Sequence, residues 1–173
     1  MNMRSICTLT IGSLLSALLA TSCGYRLGGL KPNYLQDKET AYVEMFVNHT
    51  VQPTLAVQFT TAMADSLQRD GTYTLAPMSS ADFLIRGEIK DITRSSLSTN
   101  PYDSYLSSEV GLTVKVAYEI VDRASGKVLK NGTVSGKGSN LNTSGNVQGA
   151  VDNALASAAR QAAEKLVTNL TMP

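Results

Sequence analysis

The sequence predicts an α+β domain in which two helices pack on one face of a mixed sheet of about four strands. Several segments alternate apolar and polar residues, which indicates half-buried strands, and two others carry apolar residues at helical spacing. These segments follow one another in the order β-α-β-β-β-α. A single sheet with both helices on the same face is the arrangement that buries every apolar stripe.

The first 22 residues predict a secretory signal peptide. Arg4 supplies the positive amino-terminal charge, and a mostly apolar run from Ile6 to Leu19 follows it. A signal needs an apolar run of about 7–15 residues, whereas a membrane-spanning helix needs about 20. Small residues then lead to Cys23, a pattern typical of a bacterial lipobox. We therefore expect a lipid on the thiol of Cys23, which becomes the first residue of the mature chain.

An ordinary signal peptide cleaved near Ser22 is the alternative, because Ala20 stands where lipoboxes favour leucine. That cleavage would leave Cys23 as an unpaired thiol, since Cys7 lies within the signal. A lone exposed thiol is a liability in an oxidising compartment, and acylation removes it. This argument favours lipidation.

Composition limits the partners of the mature chain. The sequence has 15 Lys and Arg against 14 Asp and Glu, and Arg4 belongs to the signal, so the mature part is neutral. A neutral domain has no general attraction for nucleic acid. We divide the chain into a signal peptide at 1–22, a lipidated tether without periodicity at 23–40 and one α+β domain at 41–173. Any membrane attachment is expected through Cys23.

The domain is predicted to open with a strand and a helix. Residues 41–47 carry apolar groups on both faces, which suits an inner strand. Pro53 fits the first turn of the helix, and Gly71 can adopt the left-handed conformation that ends it. The apolar stripe of this helix comprises Leu55, Phe59, Ala62, Met63 and Leu67.

The rest of the domain is predicted to consist of strands and one long helix. A short strand at 73–76 precedes strands at 81–94, 110–121 and 128–136, with loops at 95–108 and 138–145. The final helix is expected from about residue 146 to residue 170. Its narrow, alanine-rich stripe permits close approach to a sheet.

Basic residues form a candidate binding surface. At period two, Arg86, Lys90 and Arg94 share the outer face of the strand at 81–94. Lys115 lies on the polar face of the neighbouring strand, and Lys137 is expected in the loop that leaves the last strand. Charged residues mostly lie outside without any ligand, so a solvated sheet face is the alternative interpretation.

No catalytic constellation is evident in the sequence, and we expect neither an enzyme nor a cofactor. His49 is the only histidine, which leaves little for a zinc site or a histidine-based triad. The stretch from Gly132 to Gly138 lacks the Ser or Thr that follows lysine in a phosphate-binding loop, and it does not lead directly into a helix.

Several segments together resemble the lipopolysaccharide-assembly lipoprotein (LptE) family. The resemblance covers nearly the whole mature chain in order. The segments are 23–29 (CGYRLGG), 46–50 (FVNHT), 67–71 (LQRDG), 81–89 (ADFLIRGEI), 118–122 (YEIVD) and 125–129 (SGKVL).

The resemblance implies a lipid-anchored protein on the periplasmic face of the outer membrane. Members of this family sit inside the lipopolysaccharide-transport β-barrel (LptD), help to assemble it and contact the lipopolysaccharide that passes through. Basic residues near a hairpin tip and before the final helix make that contact in the family. Lys137 matches the second place, and Arg94 is the nearest substitute for the first, because residues 95–108 contain no Lys or Arg.

A lipoprotein that activates or scaffolds another envelope complex, such as a cell-wall synthase, is the alternative function. Such chains share the lipobox and a strand-helix-strand opening. The hairpin at 110–136 followed by one long terminal helix favours the lipopolysaccharide-assembly family.

Overall fold

The computed structural model describes residues 29–96, 108–142 and 147–172. Six strands and two helices follow a short 3-10 turn at Asn33–Leu35. The elements are β1 (Thr40–Val43), β2 (Val47–Asn48), α1 (Leu55–Asp70), β3 (Thr74–Leu75), β4 (Phe83–Ser96), β5 (Ser108–Asp122), β6 (Val128–Asn142) and α2 (Val147–Thr171). The predicted α+β class is confirmed, with six strands in place of about four.

All six strands join one mixed sheet. Its order is β3-β1-β4-β5-β6, and β2 pairs with β4 farther along the same edge as β1. Strand β1 pairs in parallel with β3 and with β4, and β2 pairs in parallel with β4. Strands β4, β5 and β6 form an antiparallel meander. Helix α1 connects the adjacent parallel strands β1 and β3, as a parallel crossover requires. Helix α2 crosses β6 and β5 and packs against α1.

The expected single strand at 41–47 is interrupted at Phe46. The Phe46 ring is 1% exposed and meets Phe59 of α1 edge to face at 4.7 Å between centroids. Its backbone N–H donates to Thr60 Oγ1 at 3.2 Å. Because Phe46 turns toward the helices, the neighbouring Met45 and Val47 remain exposed, by 61% and 54%. One predicted inner strand is therefore an inner strand, β1, and a two-residue edge strand, β2.

Helix α1 ends as the sequence predicts and begins two residues later than Pro53. Gly71 adopts φ 73°, in the left-handed region that favours glycine, and its N–H donates to Leu67 O at 3.2 Å. Thr54 occupies the position before the first helical residue, Leu55. The predicted apolar stripe of α1 faces the core, where Leu55 and Phe59 are fully buried.

Glycines of β6 allow α2 to lie directly on the sheet. A Cβ atom at Gly136 would stand 2.0 Å from Ala158 O, and one at Gly138 would stand 2.0 Å from Ala154 O. The alanine-rich stripe of α2 provides the matching small surface, which confirms the predicted close approach. Leu155 of the same helix is buried in the core. Gly136 and Gly138, part of the stretch that superficially resembles a phosphate-binding loop, therefore serve helix packing.

Two loop predictions need correction at their ends. Strand β6 continues to Asn142, because its pairing with β5 extends from Gly138, opposite Leu112, to Asn142, opposite Ser108. Strand β4 likewise continues to Ser96. Residues 97–107 and 143–145, the remaining parts of the two predicted loops, lie outside the described residues, as does residue 146, the predicted start of the final helix.

The stretch from residue 29 to residue 40 packs on the domain. Leu35 is fully buried, and Gly29 N donates to Thr72 Oγ1 at 2.6 Å. The Tyr34 ring lies beneath the Lys130 ammonium, 5.4 Å from its nitrogen. The predicted signal peptide and Cys23 lie outside the described residues. Within residues 29–96, 108–142 and 147–172, no helix has the length and apolar character to cross a membrane.

Candidate functional site

The two sides of the β4–β6 meander differ in what covers them. One side faces the helices and contains most of the buried apolar residues of the three strands. The opposite side, which we call the open face, carries the alternate residues. In register across β4, β5 and β6 its rows are Arg86–Glu119–Asn131, Glu88–Ala117–Thr133, Asp91–Lys115–Ser135 and Thr93–Thr113–Lys137.

A small apolar cluster closes the open face at one end only. Ala81, Leu84 and Val121 are buried there, and Tyr42 and Ala76 pack against them. Asp82 lies at this end, where its hydrogen bonds join β1 to the start of β4.

Asp82 is a fixed anion at the closed end. Its Oδ2 accepts the backbone N–H groups of Glu39 and Thr40 at 2.9 Å each and the Thr40 hydroxyl at 2.8 Å. The Glu39 N–H, together with the two Thr40 donors, holds the pKa of the Asp82 carboxyl below its usual range, because these donors bind the ionised form.

A groove of about 570 Å³ lies in the middle of the open face. Its centre is Ala117, a small residue between the longer side chains of neighbouring strands. Met45 and Val47, exposed by the interruption at Phe46, form one wall. The charged residues that line it are Glu44, Arg86, Glu88, Lys90 and Glu119. We call this recess the acidic groove, because three carboxylates line it against two cations.

Both cations of the acidic groove are paired within it. Arg86 donates two hydrogen bonds to Glu119 Oε2, at 3.1 Å from Nε and 3.0 Å from Nη2. Lys90 Nζ donates to Glu88 Oε2, and His49 Nε2 lies 3.3 Å from the same oxygen. The Lys90 hydrogen bond and charge are the main causes that lower the pKa of Glu88. Glu44 has no ion-pair partner among the described residues, so the groove retains a negative charge.

Arg94 does not share a face with Arg86, contrary to the period-two prediction. A β-bulge between Ile89 and Asp91 adds one residue to β4 and reverses the alternation beyond it. Lys90 is the extra residue. Arg94 is consequently paired in register with Leu112, a buried residue of the helix-facing side. Nothing in the hydrophobic pattern of the sequence marks this bulge.

Lys115 and Lys137 come together on the open face beyond the acidic groove. Lys137 belongs to β6 and not to a loop, and its backbone N–H donates to Gln161 Oε1 at 2.7 Å. Lys115 lies opposite Ser135, and Lys137 lies two residues beyond Ser135 in β6. The two lysines are therefore diagonal neighbours, with Cα atoms about 7–8 Å apart. Among the described residues neither ammonium forms an ion pair. We call this pair the lysine end.

The structure thus separates the five basic residues that the sequence grouped. Arg86 and Lys90 line the acidic groove and are paired, Lys115 and Lys137 form the lysine end, and Arg94 is on the other side of β4. Sequence reasoning missed Glu44, Met45 and Val47 as parts of a site. These three residues line the groove because the strand is interrupted at Phe46, and that interruption depends on the packing of Phe46 against α1. Among the described residues no cluster of three potential metal ligands occurs.

The arrangement defines an α+β domain whose meander has one face covered by the helices and one open face among the described residues. Comparison with family models identifies it further: residues 39–170 match the LptE lipopolysaccharide-assembly family. The match covers most of the chain, so the protein belongs to the LptE family and is a lipoprotein with that fold. A search of curated proteins finds no match to the chain.

Solved structures share the fold at low sequence identity. A Xanthomonas campestris protein is 12% identical with a TM-score of 0.54, and the alignment covers 77% of this chain and 84% of that one. A hypothetical protein of Chlamydia trachomatis is 9% identical with a TM-score of 0.51, over 77% of this chain and 93% of that one. A Helicobacter pylori neuraminyllactose-binding hemagglutinin homolog is 11% identical with a TM-score of 0.50, over 85% and 91%. These similarities concern the fold alone.

Proposed function

We propose that this protein is an outer-membrane lipoprotein, anchored through Cys23, that assembles with and plugs an LptD-like β-barrel. There it helps to deliver lipopolysaccharide to the outer leaflet. The observation that carries the proposal is the family match over residues 39–170. The proposed location is the periplasmic face of the outer membrane.

The open face supports a role in which the domain is held by a larger partner. One side of the meander is covered by α2, whereas the other has the acidic groove and, among the described residues, two ammonium groups outside any ion pair. An interface inside a barrel can cover such a charged, uneven sheet face without disturbing the core. In this role the domain serves as a scaffold.

The lysine end is the part of the surface best suited to lipopolysaccharide phosphates. Hydrogen bonds from an ammonium group to phosphate are of the strong, charge-assisted kind. Lys115 and Lys137 are close enough to contact one phosphate group or two neighbouring ones. Arg86 and Lys90 are unsuited to this role, because Glu119 and Glu88 already neutralise them.

Copurification tests the assembly role directly. The full-length protein, expressed in a Gram-negative cell together with an LptD-like barrel, is expected to copurify with that barrel from outer membranes. Cys23→Ser should remove the protein from the membrane fraction or leave the signal uncleaved, because two or more acyl chains are needed for stable anchoring. Copurification with a cell-wall synthase and without the barrel would contradict the proposal.

Binding of purified lipopolysaccharide tests the lysine end. Lys137→Glu in the full-length protein should weaken binding, and the difference from the unchanged protein should shrink as salt screens the charges. Lys127→Glu is the matched control, because it makes the same charge change in the exposed turn between β5 and β6. Equal weakening by both variants would remove Lys137 from the contact.

A further inference from the structure

We infer that the acidic groove binds an extended segment of the partner protein in which an apolar residue stands beside a Lys or Arg. This inference rests on the proposed function for the identity of the partner and goes beyond it in assigning the contact surface and the chemistry of the occupant. It also separates two ligand classes on one sheet face, protein at the acidic groove and phosphate at the lysine end.

Exposed apolar side chains next to the groove form the first argument. Met45 and Val47 line the groove and are 61% and 54% exposed. Met45 Sδ lies 3.7 Å from Thr60 Oγ1, which brings this wall of the groove against α1. Apolar patches of this kind on a soluble domain are typical of protein interaction sites.

Charge is the second argument, and it selects the occupant. Arg86 and Lys90 are neutralised within the groove, which leaves Glu44 without a cationic partner among the described residues. An anionic ligand such as a phosphate would therefore be repelled here, whereas a Lys or Arg side chain entering beside Glu44 completes the pairing. Complementary charge of this kind determines which partner binds and in what register.

The shape of the groove is the third argument. Ala117 lies between Glu88 and Thr133 in the central row, so the floor of the groove is low. The exposed wall at Met45 and Val47 is the edge of the sheet, where β2 pairs only with β4. An extended chain can lie along this floor with an apolar side chain against Met45 and Val47 and an adjacent Lys or Arg side chain reaching Glu44, which directly precedes Met45.

Site-specific photocrosslinking tests the inference. A photoreactive amino acid replaces Met45 in the full-length protein, which is expressed with the LptD-like barrel. The expected result is a crosslink to the barrel, and peptide sequencing should locate it in a segment with Lys or Arg next to an apolar residue. Met78, which is 52% exposed and does not line the groove, is the matched control position and should give little crosslink.

Charge reversal provides the second measurement. Glu44→Lys should lower the crosslink from Met45 by about tenfold or more, because it places like charges against each other, and Glu44→Gln should have a smaller effect. Lys127→Glu, which changes a charge in the exposed turn between β5 and β6, should leave this crosslink unchanged. Thermal unfolding of each variant verifies that the surface substitution leaves the fold intact.

The outcomes separate the inference from the proposed function. If the barrel copurifies and position 45 gives no crosslink, or one no stronger than position 78, the inference is wrong and the assembly role stands. A crosslink to lipid or to a second copy of this chain also overturns it. If the unchanged protein fails to copurify with the barrel, the assembly role is wrong and the inference falls with it.

Discussion

The two faces of strands β4, β5 and β6 arise from the same alternating sequence pattern but differ in what packs against them. On the helix-facing side, Gly136 and Gly138 let α2 approach until its backbone lies against the sheet. On the open face, Arg86 and Glu119 pair across neighbouring strands, and no helix of the described residues covers them. Most of the hydrophobic core therefore lies on one side of the meander, and only a small apolar cluster lies on the other.

Charge further divides the open face. The acidic groove contains its own ion pairs and one unpaired carboxylate, Glu44, whereas the lysine end contains two ammonium groups without ion pairs among the described residues. The ligands that we propose for the two regions therefore have opposite charges. The sequence had grouped all five basic residues, with Lys137 in a loop, in one candidate surface for phosphate.

Gly136→Ala should have the largest effect on the free energy of unfolding. The new Cβ would stand 2.0 Å from Ala158 O and 2.4 Å from Ala162 N, and both are backbone atoms that cannot move aside alone. We expect a loss of about 3 kcal/mol or more, at the upper end of overpacking effects. Urea unfolding measures it.

Ser135→Ala is the matched control for Gly136→Ala. The Ser135 side chain points to the open face from the adjacent residue of β6, and it is exposed. Its removal should change stability by no more than about 0.5 kcal/mol. Similar losses in both variants would mean that the two faces do not differ in packing.

Asp82→Asn should have an intermediate effect, because it weakens the hydrogen bonds that join β1 to the closed end of the open face. We expect a loss of about 1–2 kcal/mol near neutral pH. The folded state lowers the pKa of Asp82, so its contribution is present above the unfolded pKa, near 4, and is lost as the pH falls through the lower folded pKa. Stability measured between pH 2 and 6 should therefore be less pH-dependent in Asp82→Asn.

Asp91→Asn is the control for the loss of a carboxylate, since Asp91 is exposed on β4, the strand that follows Asp82. It should change the free energy of unfolding near neutral pH by no more than about 0.5 kcal/mol. If the free energy of unfolding of Asp82→Asn keeps the full pH dependence, other carboxylates cause that dependence. The stability of the closed end of the open face then does not depend on Asp82.

Removing the Arg86–Glu119 pair should have the smallest effect. Both side chains are nearly half exposed, and exposed ion pairs contribute about 0–1 kcal/mol. A double-mutant cycle of Arg86→Ala and Glu119→Ala measures this coupling. A coupling energy above about 2 kcal/mol would show that the open face contributes to the fold as well as to binding, and would weaken the contrast between the faces.

Much of the fold could be predicted because it depends on local chemistry. The final helix, predicted at 146–170, lies at Val147–Thr171, and the left-handed end of α1 falls at Gly71 as expected. Helical spacing and a glycine cap act within a few residues, so the sequence displays them directly. The α+β class followed from the order of the elements for the same reason.

The candidate site was predictable only in part. Lys115 was correctly placed on a polar strand face. Lys137 was assigned to a loop but lies in β6, and Arg94 was assigned to the wrong side of β4, because one bulged residue reverses the alternation. Met45 and Val47 were interpreted as part of a buried strand. Their exposure depends on Phe46 packing against Phe59, a residue in another element.

The sequence by itself determined which residues are apolar, at which period they recur and where turns and caps interrupt them. These properties suffice for the helices, for the long strands and for the family to which the chain belongs. Only the tertiary structure decided which cations stay free, because Arg86 and Lys90 meet their carboxylates through strand register and the bulge. Long-range register is set by the packing of the whole sheet against α1 and α2, and no local pattern encodes it.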